Sequence, residues 1–388
     1  MNIAITGIGI ISAAGKGINE TLATFRSSAA NTGQVSIFHT DLSYPVFEVK
    51  NFSSSSLQKN SQRTIRLAMA AAGEAAAEAG LADNLSPYRV GVCLGTTVAS
   101  QLNDIEFYQK YRSTGTGPPE PVNRYLNGNL AEAVAQKFKA NGPSVTVVNA
   151  CSSGADAIGL AAAWIESGLC DIALAGGADE LNRVPFCGFG SLGILSDSVC
   201  KPFDRERSGL NLGEGAGILV LETEDSARDR GVEPLLFLSG YGSAGDAYHI
   251  TAPHPEGSGL KAAIKSALDD AGINSGDIDF VNAHGTGTKE NDKVEGSTLL
   301  KIFGPELKFY SSKGFTGHTL GAAGGLEAAF TAIALKYGWI PASPGFQSID
   351  NQIAISPITK ITPVKGNFAL STSLAFGGTN AALVISLG

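Results

Sequence analysis

Short apolar runs recur along the chain, separated by alanine-rich stretches with helical spacing. Ile3 to Ile5, Val90 to Leu94, Val145 to Val148, Ile172 to Ala175 and Ile218 to Leu221 are apolar throughout and do not alternate. Such runs predict strands of a central sheet covered on both faces by helices, an α/β pattern. From Val145 to Gly168, and again from Phe309 to Tyr337, a strand, a glycine-containing turn and an alanine-rich helix follow one another. This echo predicts two similar halves, 1–230 and 231–388, with no proline-rich or charged linker between them. The tail from Gly366 to Gly388 carries no charge, but Ser371, Thr372, Ser373, Thr379 and Asn380 interrupt it. It reads as paired buried strands and not as a membrane span.

Composition sharpens this picture. Only 16% of the 388 residues are charged while 43% are hydrophobic, the balance of a heavily buried enzyme. A net charge of -8 argues against a general nucleic-acid binder. Cysteines at 93, 151, 170, 187 and 200 form no CxxC pair, so neither a disulfide framework nor a zinc site is expected, and a reducing compartment fits best. The start, M-N-I-A-I-T-G-I-G-I-I-S, lacks the basic opening and long apolar core of a signal peptide, so a cytosolic location is expected. Its G-I-G-I-I-S imitates a dinucleotide loop, yet Ser12 stands where the last glycine would be.

Candidate chemistry centres on Cys151. In T-V-V-N-A-C-S-S-G-A-D-A the chain passes from a β-branched strand into a helix, so the sulfur sits at a helix start. Unpaired N–H groups and the positive end of the dipole there favour thiolate over thiol. The alternative for a free cysteine is a small buried apolar residue, and Cys93, Cys170, Cys187 and Cys200 are assigned to that role. Two of the five histidines, His284 in N-A-H-G-T-G-T and His318 in F-T-G-H-T-L-G, lie in glycine-rich turns. The glycines there are read as allowing a bulky substrate to approach the backbone. A cysteine that takes an acyl group, with two imidazoles donating to an enolate oxygen, makes a coherent set. Lys313 and Glu327 are placed as charges that orient the imidazoles.

These segments together resemble the elongating β-ketoacyl-acyl carrier protein synthases. The likeness rests on N-A-C-S-S-G at Cys151, N-A-H-G-T-G-T at His284, S-S-K-G-F-T-G-H at Lys313 and His318, and F-G-G-T-N at Phe376. It also takes in K-P-F-D-R-E-R-S-G from Lys201 and G-E-G-A-G from Gly213, and so runs the length of the chain. The resemblance implies the thiolase fold, a five-layer αβαβα unit of two similar halves, normally dimeric. It implies that Cys151 carries the acyl chain and that the Cys151 and Phe376 N–H groups form the oxyanion hole. His284 and His318 would hold the thioester carbonyl of malonyl-carrier protein as carbon dioxide leaves. Lys313, Glu327 and Asp292 match supporting positions, Thr251 and Thr288 match residues that bind the pantetheine arm, Phe376 matches a gating aromatic, and Phe189 lines the acyl pocket. No metal or nicotinamide is implied; substrates ride on the phosphopantetheine of acyl carrier protein.

Docking of that acidic carrier is assigned to Lys59, Arg63 and Arg66, at i, i+4 and i+7, together with Arg205. A true thiolase would carry a second catalytic cysteine near the C-terminus, and the initiating synthases an asparagine where His318 stands. The rival from another class is a non-catalytic chain-length-factor-like subunit, which usually lacks the nucleophile. Partners are therefore acyl carrier protein and either a second copy or such a subunit. Ser27 to Ser61 looks shortened, Tyr111 to Tyr125 departs from family wording, and Leu374 and Ala375 replace an aromatic and a glycine. Fatty-acid elongation and polyketide or polyene synthesis thus both remain open as the pathway.

Overall fold

The computed structural model describes residues 2–52, 62–81, 85, 88–97, 105–126 and 129–388. Five strands come from the first part of the chain: β1 (Ile3–Ser12), β2 (Val90–Gly95), β3 (Ser144–Val147), β4 (Ile172–Asp179) and β5 (Gly215–Glu222). Five more follow: β6 (Leu236–Gly245), β7 (Ile278–Asn282), β8 (Lys308–Tyr310), β9 (Phe368–Leu374) and β10 (Thr379–Ser386). Their spatial order is β3-β2-β4-β5-β1, then β6-β10-β9-β7-β8. Counted within each set, the second order is the first one read backwards. The pairings match as well. β2 is parallel to β3 and β4, as β7 is to β8 and β9, and the remaining neighbours are antiparallel. The sets join where Ile3, Ala4 and Ile5 pair with Leu238, Phe237 and Leu236.

The helices fall into three layers. Two of them, α3 (Ser153–Glu166) and α7 (Ala323–Tyr337), are touched by strands of both sets and so form the middle layer. Every residue of α7 from Ala323 to Leu335 is buried, as expected of a helix that is apolar all round. On the first set's outer face lie α1 (Arg63–Glu78) and α2 (Leu130–Phe138), with α4 (Arg183–Ser191) in a segment beyond β4. On the second set's outer face lies α5 (Ser258–Ala271), with α6 (Lys289–Phe303) beside it. The result is the thiolase fold, five layers alternating helix and sheet. Three apolar clusters fill the gaps, the central one running from Ile5 through Ala157 and Leu326 to Leu383.

The G-I-G of β1 is explained by packing. A Cβ at Gly7 or Gly9 would lie 2.0 or 1.8 Å from the carbonyl oxygens of Ala75 and Ala71 on α1. Small residues on both sides let helix and strand approach closely. The tail forms antiparallel β9 and β10, as its pattern predicts. The strand at Val145 departs from expectation. Among the described residues it ends the first set as an edge, and Val145 and Val148 are 39% and 64% exposed instead of covered. Among the described residues no helix is long and apolar enough to cross a membrane.

Candidate active site

The chain leaves β3 through Asn149, and Ala150 adopts a left-handed conformation (φ 49°), followed by a 3-10 turn, Ala150–Ser152, that runs directly into α3. Cys151 is the middle residue of that turn, at the helix start the sequence predicts. The turn is closed by Ser153, whose hydroxyl accepts from the Asn149 N–H at 2.7 Å and donates to the Ala150 carbonyl at 2.6 Å. His318 follows Gly317 (φ 64°), where a Cβ would meet the Leu212 backbone at 2.9 Å, so glycine is required. The His318 N–H donates to the Asn211 carbonyl at 2.7 Å. His284 follows β7, and its N–H donates to Glu295 at 2.8 Å.

The three side chains converge. His318 Nε2 lies 3.1 Å from Cys151 Sγ, and the two imidazole rings stand edge to face with centroids 5.1 Å apart. A nitrogen of each ring and the sulfur all lie within 4.8 Å of one another. The opposite side of each ring fixes its tautomer. The Leu320 N–H donates to His318 Nδ1 at 3.3 Å, and Lys313 Nζ lies 3.1 Å from His284 Nδ1. An amide N–H and an ammonium can only donate, so each Nδ1 is an acceptor and each neutral ring carries its proton on Nε2. Lys313 also donates to the His284 carbonyl and forms an ion pair with Glu327. Burial first, and the Lys313 charge second, hold both imidazoles well below the ordinary histidine range. They are neutral donors. A metal ion would need the lone pairs of nitrogens that here bear protons, although a cysteine and two histidines have the composition of a metal set.

The thiol differs from its expectation. Burial pushes Cys151 up to about 12, opposed by the Lys313 charge and by the Phe376 N–H directed at the sulfur. The resting residue is therefore a thiol. The glycines around the histidines also differ, because protein and not open space lies against them. A Cβ at Gly285 would meet Phe203 and Ser311 at 2.6 Å, and one at Gly321 would meet the Thr96 backbone at 2.4 Å.

A cavity of about 500 Å³ reaches Cys151, His284 and His318 from the surface. Phe189, Leu192, Ile194 and Leu210 give it an apolar wall, and Thr251, Thr288 and Asn291 a polar one. Phe189 and Phe376 stack across it with centroids 5.5 Å apart. Glu327 backs His284 at 3.8 Å. Asp292 stands one step further out, accepting the Phe203 N–H at 2.7 Å and the Thr286 N–H at 3.0 Å.

The docking assignment changes. Arg63 is turned inward, its Nε 2.7 Å from Glu214, a fully buried carboxylate. Its role is structural, because the guanidinium is only 14% exposed and is committed to Glu214 and the Val49 carbonyl. Arg66 is half-buried, Arg205 is exposed and paired with Glu206, and Lys59 lies outside the described residues. Two residues were missed by sequence reasoning. Glu295 accepts the His284 and Gly285 N–H groups and the Thr372 hydroxyl, and burial pushes it up to about 7. It stands three residues after Asp292, on the same face of α6, and that spacing was the available signal. Asp179, at the end of β4, accepts from the Thr96 and Thr97 hydroxyls and from the N–H groups of Thr97 and Gly321. Nothing local in the sequence marks it.

Comparison with known proteins agrees along the whole chain. Residues 1–227 match the family model "Beta-ketoacyl synthase, N-terminal domain" and residues 236–347 match "Beta-ketoacyl synthase, C-terminal domain". A Staphylococcus aureus 3-oxoacyl-[acyl-carrier-protein] synthase 2 is 32% identical over 405 residues, covering 99% of this chain and 98% of that protein. The solved ishigamide ketosynthase/chain length factor superposes with a TM-score of 0.94 at 32% identity, over 100% of this chain and 99% of that one. A type II PKS acyl-carrier protein in complex with its ketosynthase bound to the hexaketide gives 0.90 at 25% identity, over 100% and 99%.

Proposed function

Since the chain belongs to the β-ketoacyl synthase family, a family of acyltransferase-type condensing enzymes, we propose that it elongates a Cys151-bound acyl chain by decarboxylative condensation with malonyl-acyl carrier protein. The Cys151 thiol attacks the carbonyl of an incoming acyl thioester, and the carrier's thiol leaves with the proton. The Phe376 N–H, already aimed at the sulfur, and the Cys151 N–H at the helix start receive the oxyanion. Malonyl thioester then binds with its carbonyl oxygen between the two Nε2–H donors. The bond to the carboxylate breaks, carbon dioxide leaves, and the electron pair becomes an enolate that both imidazoles stabilise. The carbanion attacks the Cys151 thioester, and collapse expels the sulfur as a thiolate, which takes up a proton from solvent, and releases a 3-oxoacyl chain two carbons longer.

The observation that carries this reading is the convergence on one sulfur of His318 Nε2 at 3.1 Å and a nitrogen of His284 within 4.8 Å, with the Nδ1 of each ring facing a donor. Donors suit an enolate better than a strong base would. The chemistry needs neither a metal nor a nicotinamide. Thr251 and Thr288 line the same cavity as Cys151, where the pantetheine arm would lie. The complete triad favours an active subunit over a non-catalytic one. Assembly with a second copy or a chain-length-factor-like subunit belongs to the same proposal. Among the described residues the strand Ser144–Val147 pairs on one side only, and with Val145 and Val148 exposed this supports pairing through added strands. Five free cysteines support a cytosolic setting.

The test offers acyl- and malonyl-carrier proteins to the purified chain and follows Cys151 by intact-protein mass spectrometry. Acylation of Cys151, followed by malonyl-dependent release of a lengthened 3-oxoacyl product, is expected. An acylated enzyme that releases no such product in the presence of a chain-length-factor-like partner would refute it.

A further inference from the structure

The nucleophile turn is tied to the opposite half of the molecule by a buried carboxylate that the condensation does not use. Asp156, on the first turn of α3, accepts from the Ser152 hydroxyl at 2.7 Å and from Asn149 Nδ2 at 2.5 Å, both through Oδ2. Its Oδ1 accepts from the Tyr241 hydroxyl at 2.8 Å. Asn149 and Ser152 bracket Cys151, whereas Tyr241 belongs to β6, across the middle layer. A second link runs parallel to it, for the Thr379 hydroxyl at the start of β10 donates to Asn149 Oδ1 at 3.2 Å.

The seat for Tyr241 is also shaped sterically. Gly159 lies one helical turn beyond Asp156, and a Cβ there would come within 2.4 Å of the Tyr241 ring. Aspartate and glycine at this spacing form a notch that takes the phenol and orients its hydroxyl. Burial first, and the Asp156 charge second, push the Tyr241 hydroxyl upward, which keeps it a donor. The turn needs such support, because left-handed Ala150 is tolerated only where the surroundings over-determine it.

We propose that Asp156 is a positioning residue for Cys151, fixing the sulfur's direction relative to the two histidines by holding the Asn149–Ser152 turn against Tyr241. The inference rests on Cys151 being the acylated residue. Three donors converge on one carboxylate, and an amide of the same shape would turn its NH2 toward one of them. Asp156→Asn therefore misdirects the turn while preserving volume. Tyr241→Phe removes only the hydroxyl that reaches across the halves, and Gly159→Ala displaces the ring.

The experiment measures acyl loading of Cys151 by intact mass, in parallel with carbon dioxide release from malonyl-carrier protein without an acyl partner. Release needs the imidazole donors but no bond to sulfur. Loading is expected to slow about tenfold in Tyr241→Phe and up to about a hundredfold in Asp156→Asn, with release within about threefold of wild type. Wild-type loading in both variants, or loading and release falling by one common factor, overturns the proposal. Iodoacetamide alkylation of Cys151 gives a readout free of any carrier. If wild type takes no acyl chain, the proposed reaction fails, and alkylation still decides the positioning, since equal rates in all four chains would overturn it.

Discussion

The turn that carries Cys151 and the turn that follows His318 are the same piece of architecture with different chemistry. Each follows the third strand of its half, directly in the first and after the short helix Lys313–Thr316 in the second, opens on a left-handed non-glycine residue (Ala150 at φ 49°, Leu320 at φ 52°), makes a 3-10 turn and enters a middle-layer helix. Cys151 in the first corresponds to Gly321 in the second. Where one half places a sulfur, the other places nothing, and the missing side chain makes room for the Thr96 backbone, while the two middle-layer helices meet through glycines of their own. A Cβ at Gly324 would lie 2.5 Å from the Ala155 N, and one at Gly154 2.6 Å from the Gly325 N. The second half then supplies its chemistry from upstream of its turn, through His318. Duplicated backbone geometry thus yields an asymmetric site, with the nucleophile from one copy and the donors from the other.

Removing the sulfur breaks this asymmetry most completely. Cys151→Ala is expected to abolish acyl loading, read as the absence of any mass increment. Retained condensation in that variant would remove the first half from the chemistry. Next in size are His284→Ala and His318→Ala, each expected to lower condensation by about a hundred- to a thousandfold while sparing loading more, as loss of a donor to a developing oxyanion does. Equal loss of both steps in a folded variant would show that the division of labour between the halves is wrong.

Much of this was legible in the sequence, because the signals were local. The all-apolar runs, the glycines of β1, the strand–turn–helix around Cys151 and the two histidine motifs each declare themselves within about ten residues. What stayed hidden depends on contacts between distant segments. Arg63 has the spacing of a surface residue, but Glu214, 151 positions away, pairs with it. Asp179 matters only because Gly321 and Thr97 arrive beside it, 142 and 82 residues distant. The Cys151 thiol shows the same limit. A helix start is visible in sequence, whereas the burial that pushes the thiol the other way is a property of the assembled halves.

The correspondence between the turns can be pressed further at Gly321. A methyl there would meet the Thr96 carbonyl carbon and Cα at 2.4 and 2.5 Å, backbone that cannot move cheaply. Gly321→Ala is expected to cost about 1–3 kcal/mol of stability, read as a lowered Tm. It should also impair condensation more than loading, since His318 lies just upstream. A Tm at the wild-type value would mean that this turn does not need its close approach to the Thr96 backbone.

The smallest effect expected is a displacement along the pH axis. Both imidazoles must be neutral to accept at Nδ1 and donate at Nε2, so activity falls as acid protonates them. Burial and the Lys313 charge depress both histidines, which places this acid limb below the ordinary histidine value of 6.5. Lys313→Met removes the positive charge and leaves burial in place. The histidine values then rise, and the acid limb of carbon dioxide release moves to higher pH. His284, which faces the ammonium directly, should move further than His318, whose Nδ1 is held by a backbone N–H. The paired measurement is the pH profile of acyl loading, which needs the sulfur and the backbone donors but not the enolate's. Because the Lys313 charge also favours the Cys151 thiolate, loading is expected to slow in the same variant; an acid limb of release left at its wild-type position would show that the ammonium does not set the histidines.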